Sequence, residues 1–403
     1  MVLQGIVWWV LVHYFATRRI WYGFFDLSDI SLYQSYAEQF ARGAHLYTDV
    51  SFEYPPLAAP LMWLPKWLPP VTDYAWAFAA EMMVLCAAAA AFATATAARL
   101  ARGYARALGT AIAFALVTLL AGPIAANRFD IAVGLDLAIF MYCMARRWWW
   151  AAAALLGVGF ALKLMPLLLL PLVLVVAAKP WRMVRIVLTF VVTAALPFIP
   201  HVFRSGQAWM YIFRYHASRP LQIESMSSTP YLLAHALVDQ QVLIGNSYGS
   251  QSLTAPGTET LASVLMGAMP ATVGGLYLLV WRRRHYLRRS PSDVGLVAFG
   301  LVMTFICTNK VFSPQFLMWV FPFIALLAST PRPSRRILSG LLITAALVTQ
   351  TEFPSRYWDL VALHTTPILL VAARNLILVT SALFAVVLIW RLPHKFRPGA
   401  HWP

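Results

Sequence analysis

PPLAAPLMWLPKWLPP, residues 55–70, is the stretch on which the topology of this chain turns. It is apolar enough to enter a membrane. It is also shorter than the roughly 20 residues that an untilted helix needs to cross one. Prolines recur along it, each removing a backbone donor and disfavouring a helix interior. We read it as an interfacial helix lying on the membrane, with Trp63 and Trp67 at headgroup depth.

That reading can be tested against the rest of the chain. Of 403 residues, 61% are hydrophobic and 11% charged, and the mean hydropathy is +0.68. Soluble domains carry about 25% charged residues, so this composition belongs to a polytopic helical membrane protein. A transmembrane barrel would alternate apolar and polar residues, whereas the apolar runs here are unbroken. Twelve apolar spans are expected, near 2–17, 73–98, 107–126, 131–145, 149–165, 166–178, 185–200, 259–281, 293–308, 314–329, 336–350 and 368–390. A kink or break is expected at Lys163–Pro166. No small-residue cleavage site precedes Asp26, so the first apolar segment reads as a span rather than a cleavable signal.

With residues 55–70 kept out of the count, the basic clusters all fall on one side. These are Arg99/Arg102/Arg106, Arg146/Arg147, Lys179/Arg182/Arg185, Arg282/Arg283/Arg284 with Arg288/Arg289, Arg332/Arg335/Arg336 and Arg391/Lys395/Arg397. The positive-inside rule makes that side cytoplasmic, with both termini. Counting 55–70 as a span would turn every later cluster outward. The same loops account for most of the net charge of +16, so no nucleic-acid partner is called for.

The acids collect on the other side. Two long outer segments, 18–72 and 201–258, hold most of them, together with bases that break the rule: Arg18, Arg19, Arg128, Lys163, Arg204, Arg214, Arg219, Lys310 and Arg356. Asp136 and Arg374 lie within spans and could form a buried pair. The three cysteines, Cys86, Cys143 and Cys307, sit in apolar runs and read as small buried hydrophobes. There is neither a D-x-D pair nor a His/Cys cluster with metal-ligand spacing, so no metal or cofactor is expected.

Residues 26–47, DLSDISLYQSYAEQFARGAHLY, follow the first span. Tyr33, Tyr36, Ala37 and Phe40 share one helical face, and Gly43 suits a C′ position. Asp29 then falls at an N-cap. The plain reading is that Asp29 caps the helix and Asp26 is a solvated loop acid.

A second reading comes from resemblance. Asp29-Ile-Ser-Leu-Tyr33, Gly43-Ala-His-Leu-Tyr47 and Tyr54-Pro-Pro-Leu57, in that order after a first span, resemble the GT-C superfamily of membrane glycosyltransferases. The Gly-to-Tyr turn is one residue longer than the usual pattern. ALKLMPLLLLP (161–171), YHASRPLQIES (215–225), YGSQ (248–251) and NKVFSPQF (309–316) are similar to glycosyltransferase family 87, the polyprenol-phosphate-mannose-dependent α-mannosyltransferases. The resemblance implies an all-α GT-C bundle of about 12 transmembrane helices forming a single domain over residues 1–403. It implies a bacterial plasma-membrane enzyme whose site faces outward. The sugar, mannose, would pass with inversion from a polyprenyl-phosphate donor to a lipid-linked glycan acceptor such as a phosphatidylinositol mannoside or lipoglycan.

Such a displacement needs one base and cations for the departing phosphate. The resemblance puts Asp29 in the first role, with Asp26 in reserve. Arg219 and His216 are the first candidates for the phosphate, then Lys163, Lys310 and Arg128. Glu224, Gln315 and Tyr54 are candidates for sugar or acceptor contacts. Each has a plainer reading. Lys163 and Lys310 could snorkel to headgroups, Arg128 could pair with Asp130, and Glu224 could pair with Arg219. Rival functions are a pentose, glucose or aminoarabinose transferase on the same scaffold, a lipid or sugar transporter, or an inactive assembly subunit. A transporter would gather charge near mid-membrane and show paired broken helices. The richness in Ala, Arg and Trp suggests a high-GC bacterium such as an actinobacterium.

Overall fold

A computed structural model of the chain describes residues 1–17, 25–67, 73–100, 104–177 and 179–394. Arg18, Arg19, Arg102, Lys395 and Arg397 lie outside the described residues. The structure is a helical bundle, and each of the twelve expected spans overlaps helix among the described residues.

Among the described residues, five helices are long and apolar enough to cross a membrane unaided: Tyr74–Leu100, Tyr104–Ala121, Thr258–Arg282, Pro291–Thr308 and Thr365–Trp390. A sixth span is made if Pro180–Ala195 and Ile199–Ser205, bent by 51°, count as one. Several other apolar helices are shorter, among them Trp149–Leu162, Met165–Ala177 and Pro314–Ala328. Length and composition therefore establish a multi-pass membrane protein, and twelve crossings go beyond them.

The stretch at 55–70 is short helix as far as it is described. Ala58–Trp63 is α-helical and Leu64–Trp67 is 3₁₀, with Trp67 70% exposed and ring-packed against Trp63. Ten helical residues rise only about 15 Å, half a bilayer core.

The break near Lys163 is real. The helix Trp149–Leu162 ends there, Lys163 is extended (φ −159°, ψ 133°), and a 3₁₀ turn Met165–Leu169 follows. Pro166 cannot continue the ladder, so carbonyls at the end of Trp149–Leu162 lose their helical donors. The Leu57 amide takes one of them, bonding Ala161 O at 2.9 Å. This ties the Tyr54–Leu57 loop to the broken helix. Glycine makes the crossing beside it tight. A Cβ at Gly159 would sit 2.4 Å from the Asp136 carboxylate and 2.9 Å from Pro166.

The segment 201–258 holds more structure than a polar loop. It contains the helices Tyr211–Ser218 and Thr229–Val238 and an antiparallel hairpin, β1 (Leu243–Ser247) and β2 (Ser250–Thr254). Tyr248 and Gly249 form its two-residue turn, both at positive φ (50° and 63°), as the type I′ hairpin requires. The Leu221–Ile223 segment lies along β2, through Leu253 N to Leu221 O at 2.9 Å and Ile223 N to Gln251 O at 3.0 Å.

Candidate active site

The chain places its chemistry at one end of the bundle. Asp130 opens the helix Asp130–Arg146, and Arg146 closes it. Lys163 follows the end of Trp149–Leu162, whose other end abuts Arg147. Asn309 and Lys310 follow the end of Pro291–Thr308, whose start adjoins Arg288 and Arg289. Asp130, Lys163 and Lys310 thus gather opposite the Arg-rich loops. A cavity of about 920 Å³ opens among them.

Nine of the ten residues proposed from sequence line this cavity: Asp29, Tyr54, Arg128, Lys163, His216, Arg219, Glu224, Lys310 and Gln315. Asp26 does not, and it is exposed.

Asp29 precedes the helix Ile30–Ala41, but its side chain makes no capping bond. The plain capping reading therefore fails. Its carboxylate meets the Arg128 Nε at 3.1 Å, and the Tyr33 hydroxyl donates to it at 3.3 Å. The Nε contact is an ion pair rather than an in-line hydrogen bond. Arg128 is held from behind, since its Nη2 donates to Leu27 O at 2.5 Å.

Arg128 does not pair with Asp130, although only Phe129 separates them in sequence. Arg128 is extended (φ −134°, ψ 136°) just before a helix begins, so the two side chains diverge. Asp130 instead receives Lys163 Nζ at 2.6 Å and Trp319 Nε1 at 2.7 Å. The Lys163 ammonium also lies within 5.2 Å of the Phe129, Phe316 and Trp319 ring centres. This is a held side chain, not one snorkelling into lipid.

Arg219 and Lys310 differ from these two. Neither makes an ion pair among the described residues. Arg219 donates to Ser250 Oγ in the hairpin at 2.8 Å, and Lys310 Nζ donates to Ala217 O at 2.6 Å. Burial, then the Arg219 charge, lowers the Lys310 pKa. His216 stands among Arg219, Lys163 and Lys310. Burial first and then those charges push it down to about 4, so its ring is neutral at ordinary pH.

Glu224 does not pair with Arg219, nor Arg374 with Asp136. Arg374 joins Glu224 at 3.1 Å and Glu352 at 3.2 Å, with all three side chains 1% exposed. Arg374 Nη2 and Asn375 Nδ2 also donate to Glu224 O, at 3.0 and 3.1 Å. The cluster pins the 215–225 segment to the helix Thr365–Trp390. Asp136 makes no hydrogen bond among the described residues.

One wall of the cavity is apolar. The helix Thr258–Arg282 contributes Leu265, Met266, Met269 and Val273, and the broken segment contributes Leu167 and Leu168. Tyr277 fixes these two elements together, its hydroxyl donating to Leu168 O at 2.6 Å. Sequence reasoning missed Glu53, Tyr215 and Tyr248, which also line the site. Tyr215 and Tyr248 open the YHASRPLQIES and YGSQ motifs, and Glu53 directly precedes Tyr54-Pro-Pro-Leu57, so their place in or beside these motifs was the signal.

These elements make a helical bundle with a charged cavity at one end and an apolar wall beside it. The structure of ArnT from Cupriavidus metallidurans bound to undecaprenyl phosphate shares this fold, with a TM-score of 0.54 and 16% identity over 96% of this chain and 76% of that one. Its apo-state structure gives a TM-score of 0.49 and 15% identity, over 96% and 77%. Among curated proteins none matches the sequence. The family model of glycosyltransferase family 87 matches residues 52–314, well over half the chain, and the chain belongs to that family. The match spans Lys163, His216, Arg219 and Lys310. It begins after Asp29.

Proposed function

We propose that this glycosyltransferase moves mannose, with inversion, from a polyprenyl-phosphate donor to a lipid-linked glycan on the outer face of the membrane. The whole chain acts as one domain, with both termini cytoplasmic. The observation that carries the reading is the pair of cations that make no ion pair among the described residues, Arg219 and Lys310, in the same cavity as Asp29 and beside an apolar wall. A polyprenyl phosphate needs that combination: cations for its phosphate and hydrocarbon for its chain. The ArnT structure bound to undecaprenyl phosphate supports a lipid of this class.

In this mechanism the Asp29 carboxylate takes the proton of an acceptor hydroxyl. The hydroxyl oxygen attacks the anomeric carbon from the face opposite the phosphate. The bond from the anomeric carbon to the phosphate oxygen breaks, and its electron pair leaves with the polyprenyl phosphate. Arg219 and Lys310 stabilise the charge that develops there. Neutral His216 can hydrogen-bond the same group without first losing a proton. Arg128 and Tyr33 fix the orientation of Asp29.

The test is transfer of radiolabelled mannose from polyprenyl-phosphate mannose to a membrane lipid extract, by wild type and Asp29→Asn, with EDTA present. Transfer by wild type and none by a folded Asp29→Asn protein is expected. Transfer only from a pentose, glucose or aminoarabinose donor would overturn the choice of sugar. No transfer from any of these donors would favour a transporter or an assembly subunit.

A further inference from the structure

Glu53 lines the cavity, and the mechanism gives it no task. It makes no ion pair among the described residues. Two phenols occupy its carboxylate instead, since the Tyr54 and Tyr215 hydroxyls both hydrogen-bond it. Burial first and then the Glu53 charge raise the pKa of each phenol, so both stay protonated donors. The two tyrosines belong to different parts of the molecule. Tyr54 belongs to the bundle. Its ring meets that of Phe129 edge-on at 5.0 Å and lies 6.4 Å from that of Tyr33, whose hydroxyl donates to Asp29. Three residues on, Leu57 N bonds Ala161 O at the broken helix. Tyr215 belongs to the outer segment. Its hydroxyl also donates to Tyr248 O at 2.5 Å, in the hairpin turn. The turn packs on this joint, where a Cβ added at Gly249 would touch the Tyr215 hydroxyl at 3.5 Å and Glu53 Oε2 at 3.7 Å.

Arg219 rests on the outer side of the joint. Its guanidinium carbon lies 5.8 Å from the Tyr215 ring centre, and it donates at 2.8 Å to Ser250, the residue after Gly249. Both supports of Arg219 therefore bear on Glu53. We propose that Glu53 is a positioning residue: through Tyr54 on the bundle and Tyr215 on the outer segment, it fixes the place of Arg219 relative to Asp29. A single displacement needs that spacing, because the base and the phosphate cation act on opposite faces of one anomeric carbon. A carboxylate can take both hydroxyl donors at once, and these charge-assisted bonds are stronger than neutral ones. The inference deepens the proposed function and rests on it for the phosphate that Arg219 meets.

The experiment measures binding of undecaprenyl phosphate, with thermal midpoints, to purified wild type, Glu53→Leu, Glu53→Gln, Tyr215→Phe and the double variant Glu53→Leu/Tyr215→Phe. Tyr215→Phe keeps the ring beside Arg219 and removes only the hydroxyl joint, so it tests the proposal even where Glu53→Leu folds poorly. Losing the charged bond should weaken undecaprenyl phosphate roughly 10-fold in Glu53→Leu and in Tyr215→Phe. Glu53→Gln keeps an acceptor oxygen and should fall between wild type and Glu53→Leu. The double variant should be little worse than either single one, since both break one joint. In the transfer assay the donor KM should rise and the acceptor KM hold. A purely structural role would lower the thermal midpoint and leave the affinity of the folded protein unchanged. Wild-type affinity in folded Glu53→Leu and Tyr215→Phe, or effects that simply add, overturns the positioning role and leaves the proposed function standing. A wild type that binds no undecaprenyl phosphate overturns the proposed function, and the task assigned to Glu53 with it.

Discussion

The Arg128 guanidinium stands 3.1 Å from the Asp29 carboxylate, with the Arg side chain 7% exposed and the Asp side chain 30% exposed. The pair joins the segment after the first helix to the start of Asp130–Arg146. One partner is nearly buried, so the pair is screened less than a surface ion pair. Neighbours this close are not independent. In a double-mutant cycle of Asp29→Asn and Arg128→Met, the two substitutions should couple by about 1–3 kcal/mol in transfer rate. Measured kcat values for the four proteins check this, and additive effects would mean that Arg128 does not position Asp29.

Asp29→Asn alone keeps the size of the side chain and an acceptor oxygen for Tyr33. The loss should fall on the proton transfer, which general bases accelerate by roughly 10²–10⁴-fold. We expect kcat to fall by that order with the thermal midpoint nearly unchanged. Asp26→Asn should leave kcat within about twofold, as expected of an exposed side chain outside the cavity. Activity and thermal unfolding in the same detergent preparation separate the two cases.

The site divides by how each residue is specified. Asp29, Lys163, Arg219 and Lys310 were picked out through the motifs that resemble a known family, and all four line one cavity. The break at Lys163 followed from Pro166 alone. Partner choice was not legible. Asp130 takes Lys163 and Trp319, and Arg374 takes Glu224 and Glu352, because helices distant in sequence cross there. Spacing along the chain carries no information about such crossings. The hairpin was missed for another reason. Its strands, Leu243–Ser247 and Ser250–Thr254, are largely polar and rest on backbone bonds to Leu221–Ile223, so no apolar alternation announces them.

His216 provides a pH test. Its folded pKa, about 4, lies below the ordinary value of 6.5. The unfolded chain therefore binds more protons as pH falls below 6.5. The stability tied to neutral His216 is present above that value and drains away as pH drops toward 4. Between pH 7 and pH 5.5 the loss should be about 1 kcal/mol, and His216→Gln should remove it. Thermal midpoints across this range check the sign. A midpoint that rises on acidification in wild type but not in His216→Gln would contradict a buried neutral ring.

Arg219 and Lys310 should act on the donor rather than on the acceptor. Arg219→Met removes a cation that makes no ion pair among the described residues, so the fold should tolerate it. The lost charged bond to phosphate should raise the donor KM roughly 10- to 100-fold. Lys310→Met should act in the same direction. Competitive inhibition by undecaprenyl phosphate should weaken in parallel, and an unchanged inhibition constant would move the phosphate elsewhere in the cavity.

Arg374 offers the opposite case, a cation whose removal strands its partners. Glu224 and Glu352 are each 1% exposed and share it. Replacing it by methionine leaves two buried carboxyl groups facing each other without a counter-charge. Breaking a buried pair from one side costs about 3–5 kcal/mol. The cost is reduced to the extent that the acids take up protons, which burial already favours at Glu224. Arg374→Met should therefore lower the thermal midpoint strongly at pH 8 and less at pH 5.5, where protonation is easier. Arg374→Lys keeps the charge but not the planar fork that also reaches Glu224 O, and should fall between. Transfer activity should drop with the folded fraction, because the cluster anchors the segment that carries His216 and Arg219. A full thermal midpoint with lost activity would instead make Arg374 part of the binding machinery.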